Sequence, residues 1–132
     1  DGASHAYTAD FVVDHRYRVL REGTGWELVE SLGYRAHARL FADGHQRVVI
    51  HSSLRDGSHA YTVAKRSEFV KFFPVRTILT ALNDRERGWG GGSTVGGAPR
   101  NADGSRSRLS PDEVFEIVES VVRASTAACR ID

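Results

Sequence analysis

The sequence predicts an α+β domain in which helices pack on a mixed, largely antiparallel β-sheet and a Gly-rich loop precedes the last helix. Three observations predict this class. Segments with apolar residues at every second position indicate strands, and segments with apolar residues three and four apart indicate helices. The pairs Asp43-Gly44 and Asp56-Gly57 are typical of hairpin turns. The predicted order is strand, helix, three strands, helix, Gly-rich loop and helix, an arrangement that packs helices on one sheet.

Length and composition indicate a single soluble domain. The chain has 132 residues, of which 40% are hydrophobic and 27% charged, and its formal net charge is +1. So small a net charge points to neither nucleic acid nor membrane, and no run of about 18 apolar residues is present to span a bilayer. The single cysteine, Cys129, excludes an internal disulfide and fits a reducing, cytoplasmic location. Because the chain begins with Asp1, we expect residues 1–132 to be one domain excised from a longer protein, with a loose lead-in over residues 1–10.

The first half of the chain is predicted to supply most of the sheet. Residues 11–20 alternate between apolar and polar and predict a strand, whereas helical spacing of apolar residues predicts a short helix over residues 26–32. Three further strands are expected to follow as an antiparallel meander joined by the two Asp-Gly turns. These strands occupy residues 34–41, 46–53 and 59–65. The run Val48-Val49-Ile50 predicts that the middle strand is covered on both faces.

An amphipathic helix is predicted after Pro74, because proline is well tolerated in the first turn of a helix. Apolar residues follow at the i, i+3, i+4 and i+7 positions of one helix face, namely Val75, Ile78, Leu79 and Leu82. We expect these side chains to pack against the sheet.

The last helix is predicted to begin after Ser110. Ser110 is a suitable N-cap, Pro111 suits the first helical position and Glu113 completes a capping box. We expect this helix to run to about Ala124. Its buried face is predicted to contain Val114, Phe115, Val118, Val121 and Val122, with Glu116 and Glu119 outside it. The preceding residues 101–109 are rich in Asn, Asp, Gly, Ser and Arg, which predicts a solvated loop.

The stretch from Gly88 to Arg100 is the strongest candidate for a functional segment. Six of its 13 residues are glycine, a density that destabilises helices and strands, and we therefore expect a loop. A backbone without Cβ atoms approaches a ligand closely, and successive N–H groups can enclose an anion. Ser93 and Thr94 add hydroxyl groups, and Arg100 adds a guanidinium that matches phosphate or carboxylate. The alternative is an ordinary surface connection.

Basic residues surround this glycine segment. Residues 85–108 contain five arginines against two acidic residues. Arg55 lies in the predicted hairpin, and Arg66 and Ser67 follow the third meander strand. If these residues converge, they form a basic pocket lined by hydroxyl groups beside the glycines. The alternative is that the arginines are simply solvated.

Other chemistries have less support in the sequence. The histidines are scattered, without a Cys-x-x-Cys or His-Glu-x-x-His pattern, so no metal site is expected within the chain. His51 and Ser52 are neighbours in a predicted strand, where successive side chains point to opposite faces, which disfavours a catalytic triad. No Gly-x-Ser-x-Gly elbow is present either. The glycine run also lacks the Gly-Lys-Ser/Thr ending and the strand-to-helix setting of a nucleotide-binding loop.

One family resemblance combines several of these features. The strand Val48-Val49-Ile50-His51-Ser52-Ser53 is followed by a Gly turn, by Ala60-Tyr61-Thr62-Val63-Ala64 and then by Gly90-Gly91-Gly92. This order resembles the C-terminal substrate-binding domain that accompanies the catalytic domain of DHH-family phosphoesterases. That family includes RecJ-type exonucleases, oligoribonucleases and exopolyphosphatase-like proteins. The similarity covers residues 46–100, less than half of the chain.

The resemblance implies a phosphate-binding role. In the family, a strand with an Arg-Ser pair and a Gly-Gly-Gly-His loop hold the phosphate and the terminal nucleotide. In this chain the Arg-Ser pair is replaced by His51-Ser52 or Ser52-Ser53, and the histidine by Ser93. Together with the neighbouring basic and hydroxyl residues, the resemblance gives an expected substrate-binding set of Ser52, Ser53, Arg66, Gly90, Gly91, Gly92, Ser93, Thr94, Gly96, Gly97 and Arg100.

The resemblance also implies binding rather than catalysis within this chain. The Asp and His ligands of the DHH domain have no counterpart here, so we expect no catalytic residue and no cofactor in the chain. Mn²⁺ or Mg²⁺ is expected in the catalytic DHH domain of the parent hydrolase, which would act in cis. The expected ligand is a phosphate-containing small molecule or a short oligonucleotide, and a membrane is not an expected partner.

Two alternatives remain beside this interpretation. The chain is a stand-alone nucleic-acid-binding or dimerisation module, forming a homodimer in the second case, or it is a small hydrolase with His51 or His59 as its base. For the nucleic-acid module, the candidate base-stacking residues are Tyr17, Tyr34, Tyr61 and Phe41.

Overall fold

A computed structural model describes residues 17–31 and 40–130, and it confirms the predicted α+β class. A mixed, mostly antiparallel six-stranded sheet carries helices packed on it. The elements in chain order are β1 (Tyr17–Glu22), β2 (Glu27–Ser31), β3 (Arg47–Ser53), β4 (His59–Lys65), α1 (Val75–Arg85), β5 (Gly90–Gly91), β6 (Val95–Gly97) and α2 (Pro111–Arg130). Residues 40–42 are also helical.

The strand order across the sheet is β1-β2-β3-β4-β6-β5. The strands pair antiparallel except for β2 and β3, which run parallel. The hairpin of β3 and β4 is confirmed, with the turn at Asp56-Gly57 where it was predicted. The three-stranded meander is wrong, because Asp43-Gly44 connects the helical residues 40–42 to β3 instead of joining two antiparallel strands.

The helix predicted over residues 26–32 is wrong, because residues 27–31 form β2. Leu28 and Val29 are both fully buried, one on each face of the sheet. A strand that is covered on both faces loses its alternation, and its apolar residues then imitate helical spacing. Residues 27–31 form a strand because their backbone is hydrogen-bonded to β1 on one side and to β3 on the other.

The two other predicted strands of the first half fall largely outside the described residues. β1 coincides with the end of the strand predicted over residues 11–20, and residues 11–16 lie outside the description. Residues 34–39 of the next predicted strand also lie outside it. Leu40 and Phe41, the last two residues of that predicted strand, are helical.

Each face of the sheet carries a hydrophobic cluster. The face that packs on α1 and α2 is termed the helix face, and Leu28, Val49, Tyr61 and Val63 belong to it. A smaller cluster covers the other face, termed the opposite face, and contains Val29, Leu40, Val48, Ile50 and Ala64. β3 is therefore buried on both faces, as its Val-Val-Ile run predicts.

Both predicted helices of the second half are confirmed. The buried residues of α1 are the four predicted ones, Val75, Ile78, Leu79 and Leu82. α2 begins with the predicted capping box: Ser110 N donates to Glu113 Oε1 at 2.9 Å, and Glu113 N donates to Ser110 Oγ at 3.2 Å. α2 is longer than expected and runs to Arg130 rather than to about Ala124. In the described part of the chain, no helix is both long and apolar enough to cross a bilayer.

Glu119 of α2 is buried, contrary to the expectation that it lies outside the apolar face. Its side chain accepts hydrogen bonds from Thr24 N at 2.9 Å, Thr24 Oγ1 at 2.6 Å and Trp26 Nε1 at 2.8 Å. Arg123 Nε donates to the same carboxylate at 2.8 Å. Burial raises the pKa of Glu119, but the hydrogen bonds outweigh this effect and hold the pKa at about 2. Glu119 therefore fixes the loop between β1 and β2 to α2.

The Gly-rich segment forms a short hairpin instead of the predicted loop. Gly90 and Gly91 of β5 pair with Gly97 and Gly96 of β6, and β6 extends the sheet from β4. A Cβ atom on Gly96 would lie 2.4 Å from Leu79 Cδ1 of α1, so only glycine permits this approach of the hairpin to the helix. Backbone pairing and close packing thus outweigh the conformational entropy that argued against a strand.

Side chains at the end of α1 hold the glycine hairpin in place. Asn83 Oδ1 accepts hydrogen bonds from the N–H groups of Gly88 and Trp89, each at 2.9 Å. Asn83 Nδ2 donates to Trp89 O at 2.7 Å. Glu86 accepts from Trp89 Nε1 at 3.1 Å and from Ser107 Oγ at 2.6 Å. The hairpin and the loop that follows it are therefore fastened to the same helix end.

The solvated loop that composition predicts over residues 101–109 is confirmed only in part, because residues 101–104 and 108 are exposed whereas three others are buried. Ser105, Ser107 and Leu109 are buried, and Ser107 forms a β-bridge with His59. The Tyr61 hydroxyl donates to Leu109 O at 2.7 Å. Polar residues are buried without a large penalty when their hydrogen bonds are satisfied, which composition does not reveal.

Candidate functional site

A cleft of about 500 Å³ opens beside β4, β6 and β5, and we term it the main cleft. Gly90, Gly96 and Gly97 line it together with Thr62. Thr62 and Gly97 are directly paired residues of β4 and β6. A Cβ atom on Gly97 would lie 3.0 Å from Tyr61 O, so the glycine keeps this part of the wall flat. The cleft is thus bounded largely by backbone, which a ligand approaches more closely than side chains allow.

Two arginines supply positive charge to the main cleft, Arg100 and Arg106. Arg106 Nε donates to Pro99 O at 2.7 Å and Nη2 donates to Ala98 O at 3.1 Å, which fixes its guanidinium. Burial lowers the pKa of Arg106, and the positive charge of Arg100 lowers it further. Neither arginine forms an ion pair with a carboxylate of the described residues. Two neighbouring cations of this kind favour an anionic ligand.

A second cleft of about 390 Å³, termed the side cleft, adjoins the main cleft. Thr62 and Val95 line both of them. Arg66 and Thr94 line the side cleft, and Arg66 Nη1 donates to Phe41 O at 3.3 Å. Val95 is paired with Ala64 and is 50% exposed, so the opposite face of the sheet is open to solvent between the two clefts. A ligand that fills the main cleft can therefore extend along this face toward Arg66.

The structure brings six of the predicted substrate-binding residues to these clefts. Four of them line the main cleft, and two line the side cleft. The main-cleft residues are Gly90, Gly96, Gly97 and Arg100, and the side-cleft residues are Arg66 and Thr94.

The other predicted residues do not line either cleft. Gly92 N donates to Val95 O at 2.8 Å, so this N–H group is engaged within the hairpin and not free for an anion. Gly91 is paired with Gly96, and Ser93 Oγ donates to Glu68 Oε1 at 3.0 Å. Ser52 and Ser53 lie at the end of β3, where they pair with Ala60 and His59.

Thr62, Lys65 and Arg106 line the clefts but were not among the predicted site residues. The sequence indicates Arg106 only as one of the arginines in the local excess of positive charge, since no pattern shows that residues 98–106 fold back on themselves. The sequence does contain a pattern that indicates Thr62. In β4 it alternates with Tyr61 and Val63 and so lies on the opposite face of the sheet, where a polar side chain indicates a position that is not covered by the core.

A pair of histidines forms a separate polar cluster on the helix face. His51 Nε2 lies 2.9 Å from His59 Nδ1, and His51 is 3% exposed. His51 Nδ1 has no hydrogen-bond partner among the described residues, and Glu30 Oε2 lies 3.9 Å from it. Burial lowers the pKa of His51, and the nearby His59 lowers it further. Neither histidine lines the main cleft or the side cleft, and no described serine hydroxyl is hydrogen-bonded to them.

The buried His51 predicts acid sensitivity of the fold. The folded state holds this imidazole neutral, while the unfolded chain takes up a proton near pH 6.5. Above about pH 6.5 His51 is neutral in both states and costs no stability. As the pH falls from there toward the lower folded-state pKa, protonation of the unfolded chain lowers the free energy of unfolding. Urea unfolding at pH 8 and pH 5 measures the decline. We expect His51→Gln to reduce this pH dependence; equal slopes in wild type and His51→Gln would contradict the prediction.

Within residues 17–31 and 40–130, no three His, Cys, Asp or Glu side chains are grouped closely enough to hold a metal ion. The two clefts and their basic residues form the candidate ligand-binding site in this part of the chain. Comparison of the chain with protein-family models, with curated proteins and with solved structures finds no match.

Proposed function

We propose that this chain is the phosphate- or nucleotide-binding domain of a DHH-like phosphoesterase, which acts on phosphodiester or phosphoanhydride bonds. The observation that carries the proposal is the main cleft, where Arg100 and Arg106 face a wall built from glycine backbone. The volume of about 500 Å³ is within the range of small-molecule sites and suits a ligand of nucleotide size. The resemblance to DHH-family substrate-binding domains supports the same ligand class.

The chemistry of the two arginines suits phosphate. A guanidinium offers parallel N–H donors that match two oxygens of one phosphate, and its charge persists at all physiological pH values. Arg106 is fixed by two backbone carbonyls, whereas Arg100 is exposed and free to close on a ligand. The Thr62 hydroxyl adds a donor on the floor between the clefts.

The proposed division of labour leaves bond cleavage to another domain. Mn²⁺ or Mg²⁺ held by the catalytic DHH domain in cis would activate water and stabilise charge on the phosphoryl group. The present chain would orient the phosphate for that reaction, which lowers the barrier by positioning rather than by bond-making. The parent protein would then be a hydrolase, with no hydrolysis assigned to this chain alone.

Arg100→Ala tests the proposal. We expect the affinity for inorganic pyrophosphate to fall about tenfold or more, because one charge-assisted contact worth about 1.5–3 kcal/mol is lost. The salt dependence of binding should also become flatter. Isothermal titration calorimetry measures both effects. Arg76→Ala, which removes an exposed arginine from α1, is the matched control and should leave binding unchanged. Equal affinities of wild type and Arg100→Ala would refute the proposed site.

The alternative, a stand-alone nucleic-acid-binding module, has less support from the aromatic residues that were expected to stack on bases. Tyr61 is 1% exposed, and its hydroxyl is bonded to Leu109 O. The Tyr17 hydroxyl donates to Asp43 Oδ2 at 2.7 Å. Of the four, Phe41 is the candidate that lines a cleft outside the core, because it is half-buried in the wall of the side cleft. Tyr34 lies outside the described residues. A competition experiment distinguishes the two functions. If the chain binds a single terminal phosphate, a mononucleotide should displace a bound oligonucleotide. If it is a nucleic-acid-binding module, a mononucleotide should not displace the oligonucleotide.

A further inference from the structure

The turn that follows β4 has a defined geometry. Val70 N donates to Ser67 O at 3.1 Å, which closes a β-turn with Glu68 and Phe69 at its tip. Ser67 Oγ accepts a hydrogen bond from Phe69 N at 3.2 Å. Lys65 Nζ donates to Val70 O at 3.2 Å. Hydrogen bonds of Ser67, before the tip, and of Val70, after it, therefore hold the turn in place.

Phe69 projects from this tip into solvent. Its side chain is 92% exposed, the largest exposure among the apolar residues described as exposed. Phe73 is fully buried and contacts Trp26 in the core. Between them, Phe72 has a φ of 66°, a conformation that residues other than glycine rarely adopt. This kink lets the chain enter the core at Phe73 while the tip carrying Phe69 stays outside.

The tip is tied to the glycine hairpin and lies beside the side cleft. Glu68 Oε1 accepts a hydrogen bond from Ser93 Oγ at 3.0 Å. Ser93 precedes Thr94, a residue of the side cleft, and Lys65 N donates to Thr94 O at 2.9 Å. Arg66, three residues before Phe69, lines the same cleft. The turn that carries the exposed Phe69 ring is therefore joined, through Lys65, Arg66 and Glu68, to the basic surface that the proposed function assigns to phosphate.

We propose that Phe69 stacks on a nucleobase, which makes the ligand a nucleotide or the end of a single strand rather than an inorganic phosphate chain. This inference rests on the proposed function. A planar ring in solvent next to a phosphate-binding cleft is the arrangement by which proteins hold unpaired bases without reading their sequence. Within the turn, Phe69 lies between the exposed, charged Glu68 and the half-buried Val70, and the exposed Lys71 follows the turn. Phe69 is the only large apolar side chain among residues 66–73 that is exposed. One exposed ring suits one base better than a protein surface, which needs several adjoining apolar side chains.

The test compares AMP with ribose 5-phosphate, which has the same phosphate and sugar without the base. We expect wild type to bind AMP about five- to a hundredfold more tightly than ribose 5-phosphate, the range that stacking on one base provides. Phe69→Ala should bind AMP as weakly as ribose 5-phosphate and bind ribose 5-phosphate as wild type does. Phe69→Trp should retain the preference for AMP. Val19→Ala, at another exposed apolar residue, is the matched control and should change neither affinity.

The outcomes separate this inference from the proposed function. Equal binding of AMP and ribose 5-phosphate to wild type, or an unchanged AMP affinity of Phe69→Ala, overturns the stacking role and leaves the phosphate site standing. If neither AMP, ribose 5-phosphate nor inorganic pyrophosphate binds wild type, the proposed function fails and the stacking role fails with it. Melting curves confirm that Phe69→Ala is folded, as the full exposure of the side chain leads us to expect.

Discussion

Replacing Glu119 by alanine is expected to lower the free energy of unfolding by about 3 kcal/mol or more, because a buried carboxylate that accepts several hydrogen bonds disappears. Trp26 is 1% exposed, so its Nε1–H group would be left buried without an acceptor. The Thr24 N–H group would lose its acceptor as well. Urea denaturation at pH 7 measures the change. The control is Glu116→Ala on the exposed side of the same helix, for which less than about 1 kcal/mol is expected.

The pH dependence gives a second readout for Glu119. Its pKa is about 2 in the folded protein and 4.5 in the reference state, so folding favours the charged form. The stabilisation is therefore complete above about pH 4.5 and is lost as the pH falls toward 2. This pKa difference corresponds to about 3 kcal/mol. Glu119→Ala should remove that part of the acid sensitivity. A variant as stable as wild type at pH 7, or one with the same acid profile, would show that the carboxylate does not hold α2 to the β1–β2 loop.

Gly91→Ala is expected to abolish most anion binding and to destabilise the fold by about 1–3 kcal/mol, the usual cost of forcing extra atoms into a packed site. A Cβ atom at this position would lie 2.3 Å from Gly96 Cα and 2.4 Å from Val95 O. Both are backbone atoms of the facing strand and cannot rotate away. The added methyl group should therefore separate β5 from β6 and displace the glycine wall of the main cleft.

The neighbouring Gly92 is the matched control, because it lines neither cleft. A Cβ atom on Gly92 meets only Val95 O, at 4.0 Å. We expect Gly92→Ala to fold and to bind pyrophosphate nearly as wild type does. Calorimetry and melting curves on the two variants make the comparison. Similar behaviour of both would mean that the hairpin does not form as described.

Local patterns in the sequence predict the elements that local interactions determine. The hairpin of β3 and β4 follows from alternating residues around Asp56-Gly57, and both helices follow from apolar periodicity and the Ser110 capping box. β2 is different. It is a strand because β1 and β3 bond to it from both sides, and its burial on both faces erases the periodicity by which strands are recognised.

Most of the correctly predicted site residues are contiguous in the sequence, and Arg66 of the side cleft is the exception. Gly90, Gly96, Gly97 and Arg100 come from one segment, and all of them line the main cleft. Arg106 reaches the same cleft because its chain turns back and its guanidinium bonds to two carbonyls of residues 98–99. Ser52 and Ser53 were predicted to belong to the site but line neither cleft. They lie on β3, whereas the clefts form around β4 and β6, so motif order does not establish proximity.

The hydrogen bonds at the end of α1 affect the affinity with which the main cleft could bind a small ligand. Asn83 and Glu86 anchor the backbone before β5 and the loop at Ser107 to one helix. The walls of the main cleft are thereby ordered when the chain folds, and the site is preorganised before a ligand arrives. Ordering a loop on binding subtracts from affinity, and here that entropic cost falls on folding instead. Under the proposed function, chiefly the Arg100 side chain would remain to be immobilised, so a bound anion would keep most of the interaction energy of its contacts.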